Sequence, residues 1–139
     1  MKLGPIIVID DDPDDKEILD SVFNELNVSN KIIWFDNCDE ASIYLINSAE
    51  QPFVIFCDVN MPGLTGIEFK RQVDEHPQLR KKSIPFVFYS TAVDQKTVDK
   101  AYTEMMVQGF FEKKESNEKV KTTVKLILDY WHECRHPNS

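Results

Sequence analysis

Glycine is scarce in this chain, four residues in 139, and 42% of the residues are hydrophobic. That pairing excludes a low-complexity or wholly disordered polymer, which is poor in apolar side chains. Long apolar runs are missing too. The N-terminal stretch Met1-Lys-Leu-Gly-Pro-Ile-Ile-Val-Ile holds a four-residue apolar run before Asp10. A secretory core needs ~7 apolar residues and a membrane span ~20, so neither is expected. Cysteine is limited to Cys38, Cys57 and Cys134, an odd number with no Cys-x-x-Cys. A disulfide framework is therefore not expected, and a reducing, cytoplasmic setting is. Positive charge is short as well: 16 Lys and Arg against 24 Asp and Glu give a net charge of −8. Phosphate backbones and anionic lipids select the opposite sign, so neither DNA nor a membrane is an expected partner.

What is present is the length and pattern of one domain, 1–139, with a core from about 5 to 131 and a short polar tail. Short apolar runs alternate with segments of helical period, the mark of βα units around a parallel sheet. Pro5–Asp10, Lys31–Phe35, Phe53–Cys57, Pro85–Tyr89 and Gly109–Lys113 read as strands. A first helix starts at Asp12-Pro13 and carries Ile18, Leu19, Val22, Phe23 and Leu26. A second lies around Ala41–Leu45, capped by Asp39. A third runs from the capping box Thr65-Gly-Ile-Glu68 to about His76. A fourth contains Val98–Met105, and a fifth runs through Val120–Trp131 from a cap at Ser116 or Asn117. The polar stretch His76–Ser83 reads as a loop. The total is five strands and five helices, with no repeat, linker or second domain.

In an open parallel sheet, ligands bind at the carboxyl ends of the strands. There this chain places Asp10-Asp11-Asp12, Asp58, Ser90-Thr91 and Lys113-Lys114. If the first and third strands are neighbours, Asp10, Asp11 and Asp58 come close enough to share one cation. Hard oxygen ligands around an open site favour Mg²⁺. Asp12, Asp14 and Asp15 are adequately explained as charges at a helix N-terminus. Singly, Asp58 could be a turn residue and Lys113 an edge-strand charge. Their joint placement at four strand ends is what points to a site.

Asp10-Asp11 after a strand, Asp58-Val-Asn60-Met61-Pro62-Gly63, Pro85-Phe-Val-Phe-Tyr-Ser90 and Gly109-Phe110-Phe111-Glu112-Lys113 together resemble the receiver domain of a two-component response regulator. The stand-alone chemotaxis receiver is a familiar member. The match runs from about Pro5 to Trp131, and the long first helix and the loop before Ile84 are similar to stand-alone phytochrome-associated receivers. The resemblance implies a flavodoxin-like, doubly wound five-stranded parallel sheet of order 2-1-3-4-5. It implies a phosphorylation-dependent signalling switch rather than a turnover enzyme. Asp58 would accept a phosphoryl group from a sensor histidine kinase or a histidine phosphotransfer protein. Asp11, Asp58 and the Asn60 backbone carbonyl would hold Mg²⁺ directly, and Asp10 through water. Lys113 and Ser90 would neutralise and hydrogen-bond the phosphoryl group. Ser90 would be drawn inward with its loop, and Phe110 would follow, changing the face of helix four, strand five and helix five. A downstream protein or a second copy would bind there.

Two positions depart from the family pattern. Phe110 replaces the commoner Tyr. Lys114 stands where Pro is usual, and a cis peptide before a non-proline residue costs about 2.5–4 kcal/mol, so a trans bond is expected. Two rival readings are a receiver that binds partners without phosphorylation and an aspartate-nucleophile phosphatase of the haloacid dehalogenase type built on Asp10-x-Asp12. The latter gives Asp58 no role. Among other clusters, His132-x-Cys134-x-His136 reads as a solvated tail rather than a metal clip, Arg80-Lys81-Lys82 as a solvated run, and Trp34 and Trp131 as packing residues.

Overall fold

The computed structural model describes residues 4–91, 94–105 and 107–137. The ends of the expected domain span, 1–3 and 138–139, lie outside these, as do residues 92 and 93 of the loop after Ser90. Five parallel strands, β1 Ile6–Ile9, β2 Ile32–Phe35, β3 Val54–Cys57, β4 Phe86–Ser90 and β5 Gly109–Glu112, form one sheet in the order β2-β1-β3-β4-β5. The helices are α1 Pro13–Glu25, α2 Cys38–Asn47, α3 Gly66–Glu75, α4 Pro77–Lys82, α5 Gln95–Glu104 and α6 Asn117–Glu133.

The apolar runs β1, β3 and β4 are buried throughout because helices cover both faces of a parallel sheet. Alternate residues divide between those faces. Ile6, Val8, Val54, Phe56, Val87 and Tyr89 pack with Leu19, Val22 and Phe23 of α1 and Val124, Ile127 and Trp131 of α6. Ile7, Ile9, Ile55, Cys57, Phe86 and Phe88 pack with α2 to α5 through residues such as Leu45, Phe69, Leu79 and Ala101. Trp131 is a core residue, as expected.

Among the described residues there are six helices, where five were expected. The expected loop His76–Ser83 holds α4, a turn and a half whose pattern is too short to show a period. Pro77 opens it, the His76 side chain accepts from the Gln78 N–H at 3.2 Å, and Leu79 is buried. Its three basic residues stand at the negative end of the helix dipole. Lys82 is not simply solvated: its ammonium donates at 2.8 Å to the carbonyls of both Leu45 and Ser48 and so caps the end of α2. A six-residue helix is not stable alone; this one is held by what it touches.

The caps at Asp12 and Thr65 stand where the sequence puts them, Thr65–Glu68 closes as a capping box, and of the two candidates for α6 it is Ser116, not Asn117, that caps. The cap of α2 is Asn37, not Asp39. The Asn37 side chain accepts from the Glu40 N–H at 2.8 Å, which leaves Asp39 in the first turn. The expected face of helix four, strand five and helix five corresponds to α5, β5 and α6. β5 is a sheet edge, and the Tyr102 hydroxyl covers it by accepting from the Phe110 N–H at 3.0 Å. The tail is docked rather than solvated: His136 is buried, donates to the Phe53 carbonyl at 2.9 Å and stacks on the Phe53 ring. Once Phe53 has given its face to His132 and His136, their rings are committed to packing rather than to a metal.

Candidate functional site

Register builds the site. β1 pairs with β3 so that Ile9 faces Cys57, and the Asp58 N–H donates to the Ile9 carbonyl at 3.0 Å. The two strands therefore deliver Asp10 and Asp58 side by side, both buried. Asp11 follows on the exposed side. Asp10, Asp11 and Asp58 each offer an oxygen, and these atoms lie within 4.8 Å of one another. On the other side of Asp58, β4 and β5 pair with Ser90 facing Glu112, and the Lys113 N–H donates to the Ser90 carbonyl at 2.9 Å.

Both oxygens of Asp58 are engaged. Oδ1 accepts from the Ser90 hydroxyl at 2.5 Å, the Val59 N–H at 2.7 Å and, weakly, the Asn60 N–H at 3.4 Å. Oδ2 lies 3.0 Å from the Lys113 ammonium. That ammonium also meets Asp10 at 2.7 Å and Asp15 at 2.6 Å, with its side chain only 7% exposed. Burial pushes the Asp10 carboxyl up to about 6, against the pull of its bond from Lys113. Burial works against the charge on Lys113, but hydrogen bonds to Asp10 and Asp15 prevail and raise its pKa.

The structure brings Asp10, Asp11, Asp58, Ser90 and Lys113 to one point. Asn60 is exposed in the turn behind Asp58, and Phe110 is half-buried with its ring 5.6 Å from Phe88. Lys114 is exposed, and its peptide bond with Lys113 is trans, like every other among the described residues. The Ser90 hydroxyl touches the Asp58 carboxylate directly. The acids fit a hard divalent cation. They offer oxygen only, one side of the cluster is open, and their combined charge exceeds what one lysine neutralises.

Two residues escaped the sequence reading. Asp15 was an N-terminal helix charge, yet it grips Lys113. The available signal was its spacing, since Asp15 shares a helical face with the buried Leu19 and Val22. Gly66 was only a helix-start residue, yet a Cβ there would lie 2.0 Å from the Asp58 carbonyl oxygen. Nothing local in the sequence marks that approach.

The sequence profile described as "Response regulator receiver domain" matches residues 6–125. The chain belongs to this family. Receiver domains are phospho-acceptor signalling modules of two-component systems rather than conventional enzymes; they pair with histidine kinases and typically bind Mg²⁺ at clustered acids. This receiver is 35% identical over 75 residues to the hydrogenase transcriptional regulatory protein HoxA of Cupriavidus necator. That match takes in 53% of this chain and 14% of HoxA. Among solved structures it is similar to the phosphorylated cyanobacterial phytochrome response regulator RcpA, with TM-score 0.85, 22% identity, and 96% and 98% of the two chains covered. The Mn²⁺-bound response regulator Rcp1 gives TM-score 0.83 at 21% identity over 96% and 99%. A receiver domain from Rhodospirillum rubrum gives 0.81 at 22% identity over 97% and 98%. No helix among the described residues is long and apolar enough to cross a membrane.

Proposed function

We propose that this receiver switches by accepting a phosphoryl group on Asp58 from the phosphohistidine of a sensor histidine kinase or histidine phosphotransfer protein. The observation that carries the reading is the setting of the Asp58 carboxylate, with Lys113 on one oxygen, the Ser90 hydroxyl on the other and two further acids alongside. Phosphoryl transfer is mainly positioning and charge neutralisation, and these groups supply both. An Asp58 oxygen forms the new P–O bond as the donor's P–N bond breaks, and the imidazole nitrogen keeps the electron pair. Bound Mg²⁺ would supply charge neutralisation on the phosphoryl oxygens. Asp11, Asp58 and the Asn60 carbonyl would hold it directly and Asp10 through water. Lys113 offers its ammonium to one phosphoryl oxygen, and Ser90 transfers its hydrogen bond from the carboxylate to another.

That change of partner at Ser90, on β4, is followed by Phe110 on the neighbouring strand and reaches the face of α5, β5 and α6. Tyr102, at 47% exposure, belongs to that face, which receives a downstream protein or a second copy. The domain works as one unit, 1–139, and its three free thiols suit a reducing cytoplasm. The phosphatase reading loses its second acid, because Asp12 is exposed and caps α1 by accepting from the Asp14 N–H at 2.9 Å.

Acetyl phosphate with Mg²⁺ tests this. Asp58 should label, Asp58→Asn should not, and omission of Mg²⁺ should slow labelling. Amide signals near Tyr102 and Phe110 should shift more than those between Phe23 and Ile33. Unlabelled protein that still binds its kinase would leave a binding module, and steady phosphate release from simple esters would restore the phosphatase.

A further inference from the structure

We infer that Asp15 is a positioning residue for phosphoryl transfer, holding the Lys113 ammonium at the site while Asp10 and Asp58 turn to other partners. The inference rests on the phospho-acceptor reading of Asp58.

An ammonium has three N–H donors, and three carboxylates surround this one: Asp10, Asp15 and Asp58 at 2.7, 2.6 and 3.0 Å. They are not equivalent. Asp10 and Asp58 are also the buried members of the acidic cluster within 4.8 Å, and Asp15 is not part of it. A divalent cation entering the cluster draws on Asp10 and Asp58, and a phosphoryl group on Asp58 consumes one of its oxygens. Between them these events loosen two of the lysine's three contacts, those to Asp10 and Asp58, at the moment its charge is needed. Lysine is a strongly hydrated cation on a flexible four-carbon stem, so an unanchored ammonium leaves for water. Asp15 supplies an anchor that neither event touches. It projects from the first turn of α1, an element fixed by Leu19 and Val22 beneath it, and its side chain is 26% exposed. A role as a mere helix-end charge does not account for the contact, since Asp12 caps α1 and Asp14 already places an acid in its first turn.

The test uses Asp15→Asn in the full chain, which keeps that cap and the core residues of α1. The first readout is the ¹H–¹⁵N signal of the Lys113 side-chain ammonium, assigned by its loss in Lys113→Met. In Mg²⁺ the native protein should retain a sharp signal and Asp15→Asn should lose it, with both showing it in metal-free buffer. The second is a cycle of Asp58 labelling rates with acetyl phosphate. Asp15→Asn should label about tenfold more slowly, as expected for a mispositioned group. Asp15→Asn should then add no further loss in a Lys113→Met background. An ammonium signal that survives in Mg²⁺ without Asp15, or additive losses in the cycle, would overturn the proposal. If the native protein does not label at all, the phospho-acceptor reading fails, and the ammonium signal still decides whether Asp15 holds Lys113.

Discussion

One missing methyl group governs where Asp58 sits. A Cβ at Gly66 would lie 2.0 Å from the Asp58 carbonyl oxygen and 3.0 Å from its carbon, and both are backbone atoms that cannot swing aside. Gly66→Ala should therefore cost about 1–3 kcal/mol by urea denaturation and slow Asp58 labelling, because the displaced backbone is the acceptor's own. Gly63 is the internal control. Its φ of 71° favours glycine but a Cβ there meets nothing within 4 Å, so Gly63→Ala should strain only its own turn and label normally. Native labelling by Gly66→Ala would sink the argument. Asp58 and Lys113 were legible at this scale because a charged residue ending an apolar strand is a local anomaly. Gly66 was not, because its constraint comes from a loop folded back against it.

Elements behave likewise. The five strands and the long helices follow from apolar runs and helical spacing, which any window of ten residues reveals. α4 does not, since six residues hold too few apolar positions to show a period and its stability comes from Leu79 and Lys82. Lys82 donates to two carbonyls at the end of α2, while burial lowers its pKa and so offsets part of the gain. Lys82→Met should therefore cost about 1–2 kcal/mol in urea and speed hydrogen exchange at the C-terminal amides of α2. Unchanged exchange there would mean that the end of α2 does not depend on this cap.

At the scale of the molecule, the crowded rim gives a pH dependence whose sign can be worked out. Burial pushes Asp10 from 3.8 up to about 6. Between those values the native protein holds a proton that the unfolded chain has released, so this group's contribution falls as pH rises through the window. The stabilisation is fully present below about pH 4 and lost above about pH 6, and is about 1–2 kcal/mol once partial solvent screening is allowed for. Asp10→Asn removes it. In metal-free buffer the stability of the native protein minus that of Asp10→Asn should fall from pH 4 to pH 6 by that amount. A flat or rising difference would show that Lys113 compensates Asp10 fully.

The sequence by itself determined the alternation of strand and helix, the caps at Asp12 and Thr65, and the presence of Asp10, Asp11, Asp58, Ser90 and Lys113 at strand ends. Those features depend on residues within about a turn of one another, where propensity and periodicity act. The tertiary structure decided the rest. Asp15 meets Lys113 across 98 positions of chain, His136 reaches Phe53 across 83, and Lys82 reaches Leu45 across 37. Such contacts form only after the sheet has registered and the helices have docked, and no local pattern encodes which side chains then come within hydrogen-bond distance.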